Sequence, residues 1–577
     1  MFQTPPLGLH EIRSRIASCL GRKDLASCAL VSRDWNDSFT PPLYNSVILS
    51  RNGPSMESIE KNKHLIQSLR IQRSAYKKLS LTSSQGRVIS SIMDKSIIVT
   101  LDLNGNSIEP NEAQMLSESL KTNSTLTTLD LRNNSIKDDG ARTLSEALKV
   151  NSTLTTLDLY GNSIGESGAE SLSEALKINF VLTTLNLGNN SIGPYGAQSL
   201  SEALKTSLTL TTLNLNGNTI GDDGTKALSE TLQTNRTLTI LDLYGNSIGD
   251  NGAEALSEAL KINSVLTTLD LGNNSIGPHG AQSLSKALKT NPTLTTLYLS
   301  YNLIGTNGAQ ALSEALKSNK TLTSLNLCNS SIGHNGAQAL SEALKTNDML
   351  TTLNLCDNKI GDNGVQALSE ALMTNRTLTT LNLSFNLISH DGAQALSEAL
   401  KINSTLTTLD LGCSSIGPNG TQALSEALKI NSTLITLELY GSSIGDNGAH
   451  VLSDSLKTNM TLAALNLGYN SIESKGAQAL FEALKANTAL TTLDLHDNSI
   501  GDNGVQALSD ALKVNWVLTT LNLRRNSIGP IGAQALSEAL KTNSTLTTLD
   551  LYGNPTGLTG AEAIHQALQT TECNIKF

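Results

Sequence analysis

Residues Leu154 to Asn162 read L-T-T-L-D-L-Y-G-N, and the same phrase returns at Leu182, Leu210 and Leu238. It first begins at Ile98 and last begins at Leu546, which is 448 residues or sixteen steps of 28 further on. The chain therefore carries 17 units with no insertion or deletion among them. Self-similarity at a fixed period decides the fold ahead of any residue-level reading, because it marks a stack of identical supersecondary units. For 577 residues, length alone would suggest about four domains, but an array has no size limit set by a single core.

Within a unit, counted from its first leucine as offset 0, Leu157 and Leu159 alternate with Thr156, Asp158 and Tyr160. That is the period of a short strand with one face buried, and it predicts strands from about offset 2. Offset 8 is Asn in 14 units and Ser in three, Ser330, Ser414 and Ser442. A buried amide donates and accepts at once, so an Asn here satisfies backbone groups where the strand ends, and the serine units should be slightly weaker. A turn such as Gly249-Asp250-Asn251-Gly252 follows, with Asp, Asn or Ser capping the next helix. Gly stands at offset 14 in every unit but the first, which has Glu112, and helices are expected from there. Ala253, Leu256, Ala259 and Leu260 fill one helical stripe, while Glu258 and Lys261 pair on a solvated outer face. Asn just past each helix, as in Asn123-Ser124-Thr125, reads as a residue that tolerates a left-handed backbone. A strand and a helix in 28 residues cannot bury their apolar faces alone, so neighbours stack. Strands pack ~4.8 Å apart and helices ~10 Å apart, so an α/β solenoid with an inner, continuous parallel sheet and outer helices is expected to curve into a horseshoe.

The 28-residue L-x-x-L-x-L-x-x-N-x-I-x-x-x-G-A unit resembles the ribonuclease-inhibitor class of leucine-rich repeats over residues 98 to about 570. That resemblance implies a fold and a binding mode. Irregular leucine phrases at His64–Ile71 and Lys77–Leu81 read as degenerate first repeats within a capping region of 47–97, with Ser50–Ser58 as a loop. The repeats run over 98–573, and at 574–577 Asn574-Ile575-Lys576-Phe577 starts an eighteenth strand that Phe577 closes.

Residues 5–46 have no repeat phase. Leu9, Ile12, Ile16 and Leu20 make a helical stripe, followed by Asp24-Leu25, Leu30-Val31-Ser32, Trp35 and Phe39. From Leu7 to Tyr44 this small all-α module resembles an F-box: a leucine-led helix, a Lys23-Asp24-Leu25 turn, then A-L-V-S-R-x-W ending at Trp35. His10 stands where the family usually has proline. The resemblance implies docking on the Skp-type adaptor of a cullin–RING ubiquitin ligase through Leu7, Leu9, Glu11, Ile12, Ile16, Leu20, Asp24, Leu25, Leu30, Val31, Ser32 and Trp35. The repeats would hold the protein to be ubiquitinated, as in F-box proteins that pair the box with leucine-rich repeats, many of them fungal. Catalysis would belong to other subunits. The competing reading of 5–46 is an amphipathic cap that seals the array. The competing function is a stand-alone inhibitor or scaffold of the ribonuclease-inhibitor kind. A Ran GTPase-activating role is a variant of it, although such proteins typically carry an acidic C-terminal tail that this sequence lacks.

Composition bounds the partner. Aromatic residues are 3% of the chain and the formal charge is -10, which argues against nucleic acid as the main ligand. No apolar run suggests a membrane span, and the N-terminus has no secretory pattern, so a cytoplasmic or nuclear protein is expected. No Walker P-loop, G-x-S-x-G, H-E-x-x-H or C-x-x-C motif is present, and neither an enzyme, a cofactor nor a metal is expected. Six cysteines in such a length make no disulfide framework. Cys328 and Cys356 share offset 6 in adjacent units, near disulfide distance, and read as two exposed thiols. A metal site would need more ligands, with only Asp357 and Cys413 nearby. Variation concentrates at offsets 6 and 7, on the concave lip, where Tyr160, Tyr244, Tyr301, Phe385, Tyr440, Tyr469 and Tyr552 gather, with Tyr298 at offset 4. Tyrosine is a favoured hot-spot residue. Offset 4 is otherwise Asp, Asn or Glu438, and His496, Arg524 and Arg525 mark the C-terminal end. A target protein with a basic patch is the natural expectation; drift in a duplicated array is the alternative.

Overall fold

The computed structural model describes residues 46–49, 67–71, 97–568 and 573–576. The F-box-like segment before Ser46, the Lys77–Leu81 phrase, the Ser50–Ser58 loop and the Phe577 cap lie outside the described residues. The chain divides into two compact units, Met1–Asn274 and Ser275–Phe577.

In the first unit, the described residues form nine strands: Ser46–Leu49, Ser68–Ile71 and seven three-residue strands from Thr100–Asp102 to Thr268–Asp270. Six helices, from Pro110–Thr122 to Asp250–Leu260, alternate with the last seven strands. In the second unit, eleven strands run from Thr296–Tyr298 to Asn574–Lys576, with eleven helices from Pro278–Leu288 to Gly557–Leu568. Pairing is parallel and without register slip, Leu129 opposite Leu157 in the first unit and Leu409 opposite Leu437 in the second. The His64–Ile71 phrase contains a strand that pairs with Thr100–Asp102, and the Asn574 strand pairs with Thr548–Asp550. The Ser46–Leu49 strand, which carries no leucine phrase, was not expected; it extends the sheet by pairing with Ser68–Ile71.

Each repeat contributes the same core. In the repeat that starts at Leu154, Leu154, Leu157, Leu159, Ile164, Ala169, Leu172, Ala175 and Leu176 are all buried. The outer face is solvated: Lys261 Nζ lies 2.5 Å from Glu258 Oε1, with both side chains largely exposed. Exposed pairs of this kind contribute only a few tenths of a kcal/mol, so burial of the leucine, isoleucine and alanine stripes holds the stack together.

The offset-8 Asn is buried and ties the backbone of its own repeat to that of the preceding one. Asn358 Nδ2 donates to Leu327 O (2.7 Å), Leu355 O (3.1 Å) and Cys356 O (3.0 Å), and Asn358 Oδ1 accepts from Ser330 N (3.0 Å) and Ile332 N (3.1 Å). Ser330 donates to two carbonyls, Leu299 O at 3.1 Å and Cys328 O at 3.3 Å, and reaches no further.

Three local readings are corrected. Helices begin at offset 11 or 12 and not at 14: in the repeat that starts at Leu238, Asp250 is already helical and Gly252 lies inside the first turn. The offset-14 glycine is a packing residue. A methyl group on Gly336 would lie 2.2 Å from Ile332 Cγ2 and 3.0 Å from Ala309 Cβ, so only hydrogen fits between the helix and its neighbour. Second, the acidic residue at offset 12 lies in the first turn of its own helix and caps the helix of the following repeat. Asp138 Oδ1 accepts from Gly165 N at 2.6 Å and Gly168 N at 3.1 Å, and Asp222 does the same for Gly249 and Gly252 at 2.7 and 3.0 Å. A carboxylate at a helix N-terminus satisfies orphan N–H groups and meets the positive end of the dipole. Third, the Asn past each helix is not left-handed. Asn123 has φ -70° and ψ 130°, which is extended backbone. Its side chain and those of its equivalents form a second buried ladder. Asn151 Nδ2 donates to Leu120 O at 2.8 Å, and its Oδ1 accepts from Thr153 N and Leu154 N at 3.0 and 2.8 Å. These amides are spent inside the fold.

Candidate protein-binding face

The side chains at strand positions 2 and 4, with the two residues after each strand, line the face of the sheet opposite the helices. A three-residue strand buries its central leucine toward the helices and turns its flanking residues the other way, since side chains alternate. The burial pattern of Thr156–Asp158 is half-buried, buried, half-buried.

The expected partner-binding residues all reach this face. Tyr160, Tyr298, Tyr440, His496 and Arg524 are half-buried, and Tyr244, Tyr301, Phe385, Tyr469, Arg525 and Tyr552 are more open. In the second unit several come together. The Phe385 and Tyr440 rings meet edge to face, centroids 6.4 Å apart. Tyr469 and His496 do the same at 4.9 Å. The Arg524 guanidinium lies 5.0 Å over the Tyr552 ring, and Arg525 reaches Asp497 at 3.6 Å. Tyr298 and Tyr301 share one repeat near the start of this unit, away from these pairs. Tyr160 and Tyr244 belong to the first unit, three repeats apart from each other.

Glycines at offset 6 seat the rings, which residue-by-residue reading missed. A Cβ on Gly412 would lie 2.2 Å from Tyr440 Cε1, and one on Gly468 would lie 2.2 Å from His496 Cε1. Each ring therefore leans over its N-terminal neighbour. The alternation of Gly with an aromatic residue at one offset in successive repeats is the signal that could have found it.

Carboxylates at offset 4 give the face its charge. Asp130 is held bidentately by Arg132, Nε to Oδ1 at 3.0 Å and Nη2 to Oδ2 at 2.5 Å, and Arg132 also lies 3.6 Å from Asp158. Arg70 pairs with Asp102. Asp270 has no such help. Burial pushes its carboxyl up to about 6, against the pull of the Gly272 N–H at 2.8 Å and with the repulsion of Asp242 added. Burial likewise raises Asp410, Glu438 and the Tyr440 phenol.

Cys328 and Cys356 are not two exposed thiols. Their sulfurs are bonded at 2.02 Å with Cα atoms 4.5 Å apart, and Cys328 is buried. Directly opposed residues on adjacent parallel strands come within disulfide reach. Among the described residues Cys413 and Cys573 are free. No group of three or more His, Cys, Asp or Glu side chains among them could hold a metal ion, and none of their helices is long and apolar enough to cross a membrane.

Stacked strand–helix repeats with a ligand-accessible sheet face and solvated outer helices define a protein-binding scaffold, a type that is not usually enzymatic. The chain belongs to the leucine-rich repeat family: the family's repeat matches fifteen segments from 122–145 to 542–564, one per repeat except for a gap between 425 and 458. No curated protein matches the sequence. Among solved structures 253 chains match. TLR13 in the TLR13–ssRNA13 complex is 19% identical with a TM-score of 0.51, the alignment covering 89% of this chain and 70% of that one. An internalin, inlF of Listeria monocytogenes, is 20% identical with a TM-score of 0.36, covering 70% of this chain and 88% of its own. At 19% identity the likeness to TLR13 speaks for the fold alone.

Proposed function

We propose that the chain is the substrate-recognition subunit of a cullin–RING ubiquitin ligase of the cytoplasm or nucleus. Residues 5–46 would dock a Skp-type adaptor, and the sheet face would hold the target protein. One observation carries the reading: a segment with the F-box pattern, Leu7-Gly8-Leu9 through A-L-V-S-R-x-W at Trp35, stands ahead of a leucine-rich-repeat array. The division of labour then follows from chemistry. The array offers half-exposed tyrosines and carboxylates suited to holding a protein, and on this reading the covalent step falls to a partner. The apolar residues Leu9, Ile12, Ile16, Leu25, Val31 and Trp35 are too many for a segment this short to bury by itself.

The test is a Leu9→Asp, Val31→Asp double variant of the full chain. Loss of adaptor co-purification with an unchanged melting temperature of the array supports the reading. A lowered melting temperature, with no adaptor recovered by either form, overturns it and leaves a stand-alone binding or inhibitor protein of the ribonuclease-inhibitor kind, with residues 5–46 as a cap.

A further inference from the structure

Two aromatic corners in the second unit share one construction and differ in what faces their carboxylates. Tyr440 over Gly412 meets Phe385, and His496 over Gly468 meets Tyr469. The second corner carries its own ring nitrogen beside its carboxylate: His496 Nδ1 lies 2.6 Å from Asp494 Oδ1. The first has none. Asp410 and Glu438 stand opposite each other on neighbouring strands, about 4.8 Å apart as adjacent strands are. Asp410 is bonded by Gly412 N at 2.9 Å and by the Ser384 and Asn382 side chains, Glu438 by Asn466, and no Lys, Arg or His of the described residues bears on either.

The first unit shows how this chain treats the same pair elsewhere. Asp130 and Asp158 occupy the places of Asp410 and Glu438, and Arg132, at the place of Gly412, bridges them. At 410 and 438 that arginine is missing: the Tyr440 ring covers Gly412 in its stead, close to both carboxylates and half-exposed, with the Phe385 ring against it. We propose that Asp410, Glu438, Phe385 and Tyr440 form a receptor for an arginine side chain on an extended segment of a partner protein. A guanidinium satisfies carboxylates through parallel N–H donors and stacks on an aromatic face, whereas a lysine ammonium offers only a point charge. Arg524 over Tyr552 is the same contact made within the chain. The inference rests on the reading that the sheet face binds protein.

The probe is a fluorescein-labelled Gly-Arg repeat octapeptide, read by fluorescence anisotropy on the full chain at 0.15 M salt, beside its Gly-Gln counterpart. Asp410→Asn with Glu438→Gln preserves the fold, since Asn382 and Asn466 occupy this place in adjoining repeats. Glu342→Gln with Glu370→Gln makes the same charge change on the outer helices. The expected result is binding of the arginine peptide alone, weakened at least 10-fold by the first pair and untouched by the second. Absence of binding, equal binding of the glutamine peptide, or equal weakening by both pairs overturns the receptor. A photo-crosslinking residue at Thr380 reads the wider face. Crosslinks to cellular proteins that survive Asp410→Asn with Glu438→Gln overturn the receptor and leave the protein-binding face standing. Crosslinks in no form, wild type included, overturn the face itself and the receptor with it.

Discussion

Replacing Asn358 with alanine deletes the side chain's five hydrogen bonds, three donated to carbonyls and two accepted from Ser330 N and Ile332 N. The two N–H groups are the expensive loss. Each is buried between stacked repeats, and a buried donor left without an acceptor costs about 1–3 kcal/mol. Asn358→Ala should therefore destabilise the array by about 2–5 kcal/mol. Ser330→Ala removes only two donations to carbonyls and should cost about 1 kcal/mol. Asn358→Ser keeps a donor and loses the acceptor role, so it should fall between them. Repeat arrays unfold as coupled neighbours, so the loss should appear in urea denaturation and, locally, in amide exchange of the segment around Ser330 and Ile332. Equal midpoints for the alanine variants at 330 and 358, or unchanged exchange at those two amides, would refute the ladder as an energetic unit.

Asp270 gives a pH signature. Its folded carboxyl is raised to about 6 from 3.8, so the folded chain holds the proton to higher pH than the unfolded one, and its contribution is full below about 4 and is lost as pH rises through about 6. Asp270→Asn should match wild type in urea stability at pH 4 and exceed it at pH 7; the reverse order would contradict the burial argument. Phe481 is fully buried where the other repeats carry serine, or His565 in the last. Phe481→Ser, although it restores the repeat pattern, should therefore cost about 3–5 kcal/mol, measured by thermal unfolding. The Cys328–Cys356 bond closes a 28-residue separation, which in the chain-entropy picture stabilises by about 3.5 kcal/mol. Reduction should lower the denaturation midpoint in wild type and leave a Cys328→Ser, Cys356→Ser variant unmoved, with alkylation and mass spectrometry reporting the bond in cells.

How much could be read without coordinates depends on where a residue's partner lies. The alternation of Leu157 and Leu159 with polar residues, and the stripe of Ala253, Leu256, Ala259 and Leu260, are properties of one repeat, so period and burial alone placed them. The aromatic residues after the strands were legible for the same reason, because they vary against a constant background. The remainder depends on contacts between residues some 26 to 31 apart in sequence, which only stacking defines. Asn151 looked like a helix-end residue until Leu120 O was found 2.8 Å from its amide. Asp138 proved to cap its neighbour's helix, and Gly336 to make room for Ile332 and Ala309. Whether Cys328 faced Cys356 closely enough to bond, and over which glycine Tyr440 leaned, turned on strand register and ring direction. Within a repeat, apolar periodicity leaves one workable face and so determines structure by itself. Between repeats, each polar side chain has several backbone groups within reach, and only close packing selects among them.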